Sequence, residues 1–204
     1  MPWHLFVYRL PTKSSSARVA VWRELRRIGA LPLQQAVVAL PEDGGLSDKL
    51  APVAERVRAQ GGTVYRFALT DLSAQDESRL REEWNALRRQ EYEEIIEECE
   101  TKFEREIAFE IFRNNLTAAE AEEIEADLDK IKMWFERISA RDVFAVATRT
   151  RAESAIAKCD RLLDDFVQRV YDAETEHGPS LQPPSAANDS PPTIEGQPVA
   201  PESE

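Results

Sequence analysis

The stretch that most restricts the fold of this chain is Trp3 to Leu10, WHLFVYRL. Trp3, Leu5 and Val7 alternate with His4, Phe6, Tyr8 and Leu10, so both faces of the segment are largely apolar. A strand with one wet face would carry polar residues at every second position. This strand is therefore expected at the centre of a sheet that is covered on both sides, and Pro11 ends it.

The hydroxyls of Thr12 to Ser16 offer helix caps, and the spacing predicts a helix over Ser15 to Ile28 that Gly29 closes as a left-handed stop. At about 100° per residue, Ala17, Val21, Leu25 and Ile28 share one side, with Trp22 on its flank. Arg23, Arg26 and Arg27 share an arc of about 100° on the opposite side, with Arg18 nearer the start. The result is a compact cationic ridge.

Leu31 to Leu33 and Ala36 to Leu40 are short apolar runs interrupted by Gln34-Gln35, read as a tight hairpin rather than a bulge in one long strand. Pro41 to Gly45 is a loop. Leu46 to Gln60 predicts a second amphipathic helix with Leu50, Val53, Ala54 and Val57 inward, and Thr63 to Leu69 the last strand. The order β-α-β-β-α-β predicts an α+β class: a ferredoxin-like head over residues 1–72, with two helices on one face of an antiparallel sheet. The second apolar face of the first strand then needs its own cover, either later helices or a second subunit in a homodimer.

From Ser73 the pattern turns helical. Leu80, Trp84, Leu87, Ile95, Cys99, Phe103, Ile107 and Ile111 predict a helix or a kinked pair over about 74–113, which Asn114-Asn115 breaks. Thr117 with Glu120 predicts a capping box, opening a helix through Leu128, Ile131, Trp134, Phe135 and Ile138. In the next turn, Arg141 and Asp142 are expected to form a local ion pair. A last helix, about 149–173, is expected to turn Ile156, Leu163, Phe166, Val167 and Val170 inward, and completes a helical extension over 73–174. Residues 175–204 hold seven of the twelve prolines and no aromatic residue, the composition of a disordered tail.

Net charge is −12, which at face value argues against a nucleic-acid partner. The charge is uneven, however: residues 1–72 carry ten Lys and Arg against six Asp and Glu, and the acidic excess lies beyond them. A basic head can meet phosphate locally, since screening limits the body's repulsion to about 8–10 Å. The acidic helices are equally suited to a basic protein partner. No apolar run reaches the roughly 20 residues of a membrane span, nor is there a secretory signal pattern, so a cytoplasmic protein is expected. Cys99 and Cys159 are expected to be reduced thiols, their acidic neighbours disfavouring the thiolate.

Arg9, Arg18, Arg23, Arg26 and Arg27 are the candidate binding residues, because guanidinium forks match phosphate or a tetrahedral oxyanion such as chromate. The alternative is a solvated helix face balanced by Glu24. Glu93 with Glu97 and Glu94 with Glu98 have the spacing of a di-iron site, but the only histidines are His4 and His177, so a solvated face is expected and no metal or other cofactor. Trp84, Trp134, Phe135 and Phe144 are expected in the core. No Ser or Cys stands beside a base and no Gly-rich phosphate loop is present, so no catalytic residue is assigned and an enzyme is not expected.

Four segments in this order and spacing, LFVYRLP, SARVAVWRELRRIGAL, AVVALP and MWFERISARDVF, resemble the N-terminal domain of the ChrB chromate-resistance regulators over about residues 3–172. The resemblance implies a cytoplasmic regulator of chromate-efflux genes acting on promoter DNA. The head is also similar to the ferredoxin-like modules of phenylacetate-pathway repressors and of CRISPR adaptation nucleases. Those nucleases carry an aspartate near the end of the first strand, where this chain has Arg9, and a cation there would repel a catalytic metal.

Overall fold

A computed structural model describes residues 2–11, 15–42 and 45–176. Four strands, β1 (Trp3–Arg9), β2 (Leu31–Gln34), β3 (Val37–Pro41) and β4 (Thr63–Leu69), form one sheet in the order β2-β3-β1-β4, with every neighbouring pair antiparallel. The doubly apolar β1 is central, as its alternation requires. Helices α1 (Ser15–Ile28) and α2 (Leu50–Ala59) connect the strands. Phe6 on one face of β1 is buried in the same cluster as Val21, Leu25, Val53 and Val57 of these helices.

The second face of β1 is covered from within the chain. Trp3 meets Trp84 edge-on at 6.0 Å between ring centroids and Phe144 at 6.2 Å, so the following helix and a later turn fold back onto the sheet. The cover stops short of the sheet's edge. Tyr65 and Phe67, beside Val7 and Leu5 in register, stack on each other at 6.4 Å and stay exposed on β4.

The hairpin forms one residue later than its glutamines suggest. Gln35 and Ala36 make the turn, Ala36 taking φ 63°, and Leu33 is an extra residue that bulges β2 against β3. Leu46 is buried but precedes α2: Lys49 and Leu50 donate to the carbonyls of Leu46 and Ser47, three residues back, so α-helical bonding begins only at Leu50.

The helical part consists of α3 (Ala74–Glu97), a π-helical turn (Glu98–Phe103), α4 (Glu104–Phe112), α5 (Ala118–Ser139) and α6 (Thr148–Glu176). Ile95, Cys99, Phe103, Ile107 and Ile111 recur at steps of four. In a regular α-helix each such step drifts by about 40°, and four steps would carry the stripe off its face. The wider π turn, starting at Glu98, takes up part of that drift and keeps Cys99, Phe103 and Ile107 buried. Asn114, at φ 57°, ends α4.

Thr117 caps α5 by accepting from the Glu120 amide at 3.2 Å, but Glu120 does not return the bond. Its carboxylate takes the Asn115 side-chain amide at 2.9 Å, which also reaches the buried Glu110 at 2.7 Å. Half of the expected capping box is thus diverted to clamp the turn between α4 and α5. In α6, Ile156, Phe166 and Val170 are buried while Val167 is exposed, since its position lies a full residue step beyond Phe166 around the helix. The expected disorder of 175–204 falls, beyond Glu176, outside the described residues; Thr175 and Glu176 still belong to α6. Among the described residues no helix is long and apolar enough to cross a membrane.

Candidate anion-binding cleft

The last turn of α1 leaves backbone carbonyls without helical partners. Two arginines from other parts of the chain cap this end: Arg141, after α5, donates to the Arg27 carbonyl at 3.1 Å, and Arg88 of α3 donates to that of Gly29, just past the helix, at 3.4 Å. Gly29 makes room for both. A Cβ there would lie 2.5 Å from Arg141 Cδ and 2.6 Å from Arg88 Nη1, and its φ of +87° is one that side chains resist.

Glu91 sits between the two guanidiniums, 2.8 Å from Arg88 Nε and in contact with Arg141 Nη2. The Arg88 approach is a charge contact more than an aimed hydrogen bond, for neither atom has a partner of good angle. Arg88 is only 2% exposed, and its guanidinium lies 4.9 Å from the centre of the Trp84 ring. Burial lowers its pKa, Glu91 opposing. Arg141 therefore pairs with Glu91 and not with its neighbour Asp142. Asp142 instead accepts from the Tyr92 hydroxyl at 3.2 Å and from the Val146 amide at 3.2 Å, because it points into the helical core while Arg141 points toward α1. Burial first, then Asp142, pushes the Tyr92 phenol up to about 12.

This junction forms the floor of a cleft of about 1200 Å³. One wall is α1 with the end of β1 and the β2–β3 hairpin; the other is α3 and α5. All five sequence-predicted arginines line it: Arg9 from the end of β1, and Arg18, Arg23, Arg26 and Arg27 from α1. Arg88, Arg137 and Arg141 join them from the far side. Arg9, Arg23 and Arg137 make no ion pair among the described residues. Arg18 donates to the Pro11 carbonyl at 3.3 Å, and Arg26 stands 5.3 Å from the Trp22 ring centre. Within the ridge, Glu24 balances Arg27 alone among the described residues. It lies 3.1 Å from Arg56 of α2 and only 3.9 Å from Arg27.

The far wall could not be read from local pattern. Trp134, expected in the core, is half-buried and lines the cleft, whereas Trp84 is fully buried. Arg88 sits on the inner side of α3 beside Tyr92; two polar interruptions in an apolar stripe were the available signal. Glu93, Glu94 and Glu97 are exposed, as a solvated face should be, whereas Glu98 is half-buried and paired with Lys102; many acids of the extension are matched internally, Glu104 with Lys158 and Asp160 with Lys132 among them. Glu106 is an exception, its carboxyl pushed up by burial and then by Asp127 and its neighbours. Cys99 and Cys159 are free and buried; Cys99 and then burial raise the Cys159 thiol, whereas Cys159 lowers that of Cys99 against its acidic neighbours, contrary to the expectation for that thiolate.

The family described as Protein ChrB, N-terminal, matches residues 18–177, from α1 through α6. Protein ChrB of Cupriavidus metallidurans is 32% identical over 79 residues, covering 39% of this chain and 24% of the relative, so the match spans about a quarter of that protein's length. With its family match running through both walls of the cleft, the chain belongs to the ChrB N-terminal family.

Proposed function

We propose that this protein is a cytoplasmic regulator or accessory factor of chromate resistance, which contacts DNA through the arginine cleft and acts without enzymatic turnover. The observation that supports it is the convergence of Arg9 with Arg18, Arg23, Arg26 and Arg27 in one cleft, where three further arginines meet them. Like charges do not gather in this way at no cost, and an anionic occupant relieves their repulsion. Phosphates held by guanidinium forks fit the cleft, and a free tetrahedral oxyanion would compete for the same forks. The head supplies the platform as a ferredoxin-like sandwich, which its strand order β2-β3-β1-β4 and two connecting helices support.

Fluorescence anisotropy of the full chain with its own upstream DNA and unrelated DNA, across a salt series with and without chromate, tests the reading. Affinity should fall as salt rises, and chromate should release the upstream DNA. Arg23→Ala with Arg26→Ala should reduce the slope of log affinity against log salt by roughly two, about one for each phosphate that no longer meets a guanidinium. Absence of binding at low salt, or an unaltered slope in the double variant, would sink it.

A further inference from the structure

Trp22 is 50% exposed although Trp3 and Trp84 are completely buried. It belongs to neither buried cluster, and its indole lines the cleft with the exposed Val19 and Leu33. The wall formed by α1 and the hairpin is therefore alternately flat-apolar and cationic. An inorganic oxyanion would engage the arginines and leave the indole in water. A duplex keeps its base faces stacked inside, and a helix that reads it must enter a groove about 12 Å wide. Here α1 faces a second protein wall, with Gln90, Trp134 and Arg137 opposite. A single strand has the matching chemistry: base faces to stack on an aromatic ring, and phosphates at close intervals for guanidiniums.

We infer that the cleft holds unpaired nucleotides of a DNA strand, with Trp22 as the stacking platform and the α1 arginines on the flanking phosphates; the inference rests on the reading that this cleft binds DNA. Arg26, already against the Trp22 ring, is placed to move onto a phosphate when a base takes its side of the indole. The far wall opposes this little. Of its two glutamates, Glu91 is neutralised by Arg88 and Arg141, which leaves Glu94, with Gln90 as its hydrogen-bond partner at 3.1 Å.

The test uses the full chain and one upstream sequence in three forms, as duplex, as duplex with an unpaired bubble and as single strand, with a matching RNA strand and an abasic DNA strand. The single strand and the bubble should bind roughly tenfold or more tightly than the duplex. Trp22→Ala should weaken the single strand by roughly 5- to 160-fold, the range for loss of one stacked base, while Trp22→Phe retains most of the affinity. Binding of the abasic strand should be indifferent to Trp22→Ala, and quenching of tryptophan emission by the single strand should shrink in that variant. Because Trp22 is exposed, circular dichroism of the variant should match the parent. Equal binding of duplex and single strand, an unaffected Trp22→Ala, or tighter binding of RNA would overturn the inference while an arginine-dependent duplex affinity kept the broader reading. No binding of any form at low salt would overturn both.

Discussion

Away from the cleft, one buried phenol shapes the alkaline response of the helical part. Tyr92 is fully buried and donates to Asp142, which in turn holds the amide of Val146. Replacing the phenol by Phe leaves Asp142 short of a donor in a buried site, so Tyr92→Phe should cost about 1–3 kcal/mol in urea unfolding at neutral pH. The sign of the alkaline response follows from the shift. The folded phenol titrates near 12 against an ordinary 10.0, so its contribution is complete below pH 10 and is lost as pH rises through about 12. The Phe variant should show a flatter decline over that window. An equal slope would mean that Tyr92 is not the group responsible.

At the scale of elements, the helices begin and end where backbone groups find partners outside the helix. α5 opens on the Thr117 hydroxyl alone, since Glu120 is held by Asn115. Thr117→Ala should therefore destabilise by about 1 kcal/mol. Glu120→Ala should also cost something, through the Asn115 clamp rather than through a cap. A larger loss in Glu120→Ala than in Thr117→Ala, measured by urea midpoint, would show that the clamp outweighs the cap. α1 ends differently: Arg141 caps its Arg27 carbonyl and Arg88 that of Gly29 just beyond it, from 114 and 59 positions away, and glycine is the only kind of residue that leaves both room.

Across the whole molecule, sheet and helices share structural parts. Trp84 of α3 is buried in the cluster of the sheet, while Tyr92 and Ile95 of the same helix are buried in the second cluster. One continuous helix between two cores should couple their unfolding. Far-UV circular dichroism and tryptophan emission should then give coincident urea transitions. Arg88→Met, which breaks a buried charge pair and uncaps α1, should cost about 3 kcal/mol, the low end of the range because Glu91 keeps Arg141. The two transitions should also separate in that variant. Coincident transitions with a loss below about 1 kcal/mol would show that the junction is not held by Arg88.

Period and punctuation determined the elements. β1 had to be central because both its faces are apolar, α1 had to stop at Ile28 because Gly29 closes its apolar stripe, and its arginines had to project together because helical geometry puts them on one arc. These are local consequences of residue order, so the sequence carries them. The partner of each face was not local. Whether later helices or a second subunit covered Trp3 depended on Trp84 and Phe144, more than eighty residues on, and packing alone selected them. Arg141 looked like the partner of Asp142 because the two are adjacent, yet a turn sends neighbouring side chains in different directions, and Glu91 was nearer in space. The same holds for the cleft: one wall was written along α1, and the opposite wall exists only because α3 and α5 are folded against it, which tertiary packing alone decides.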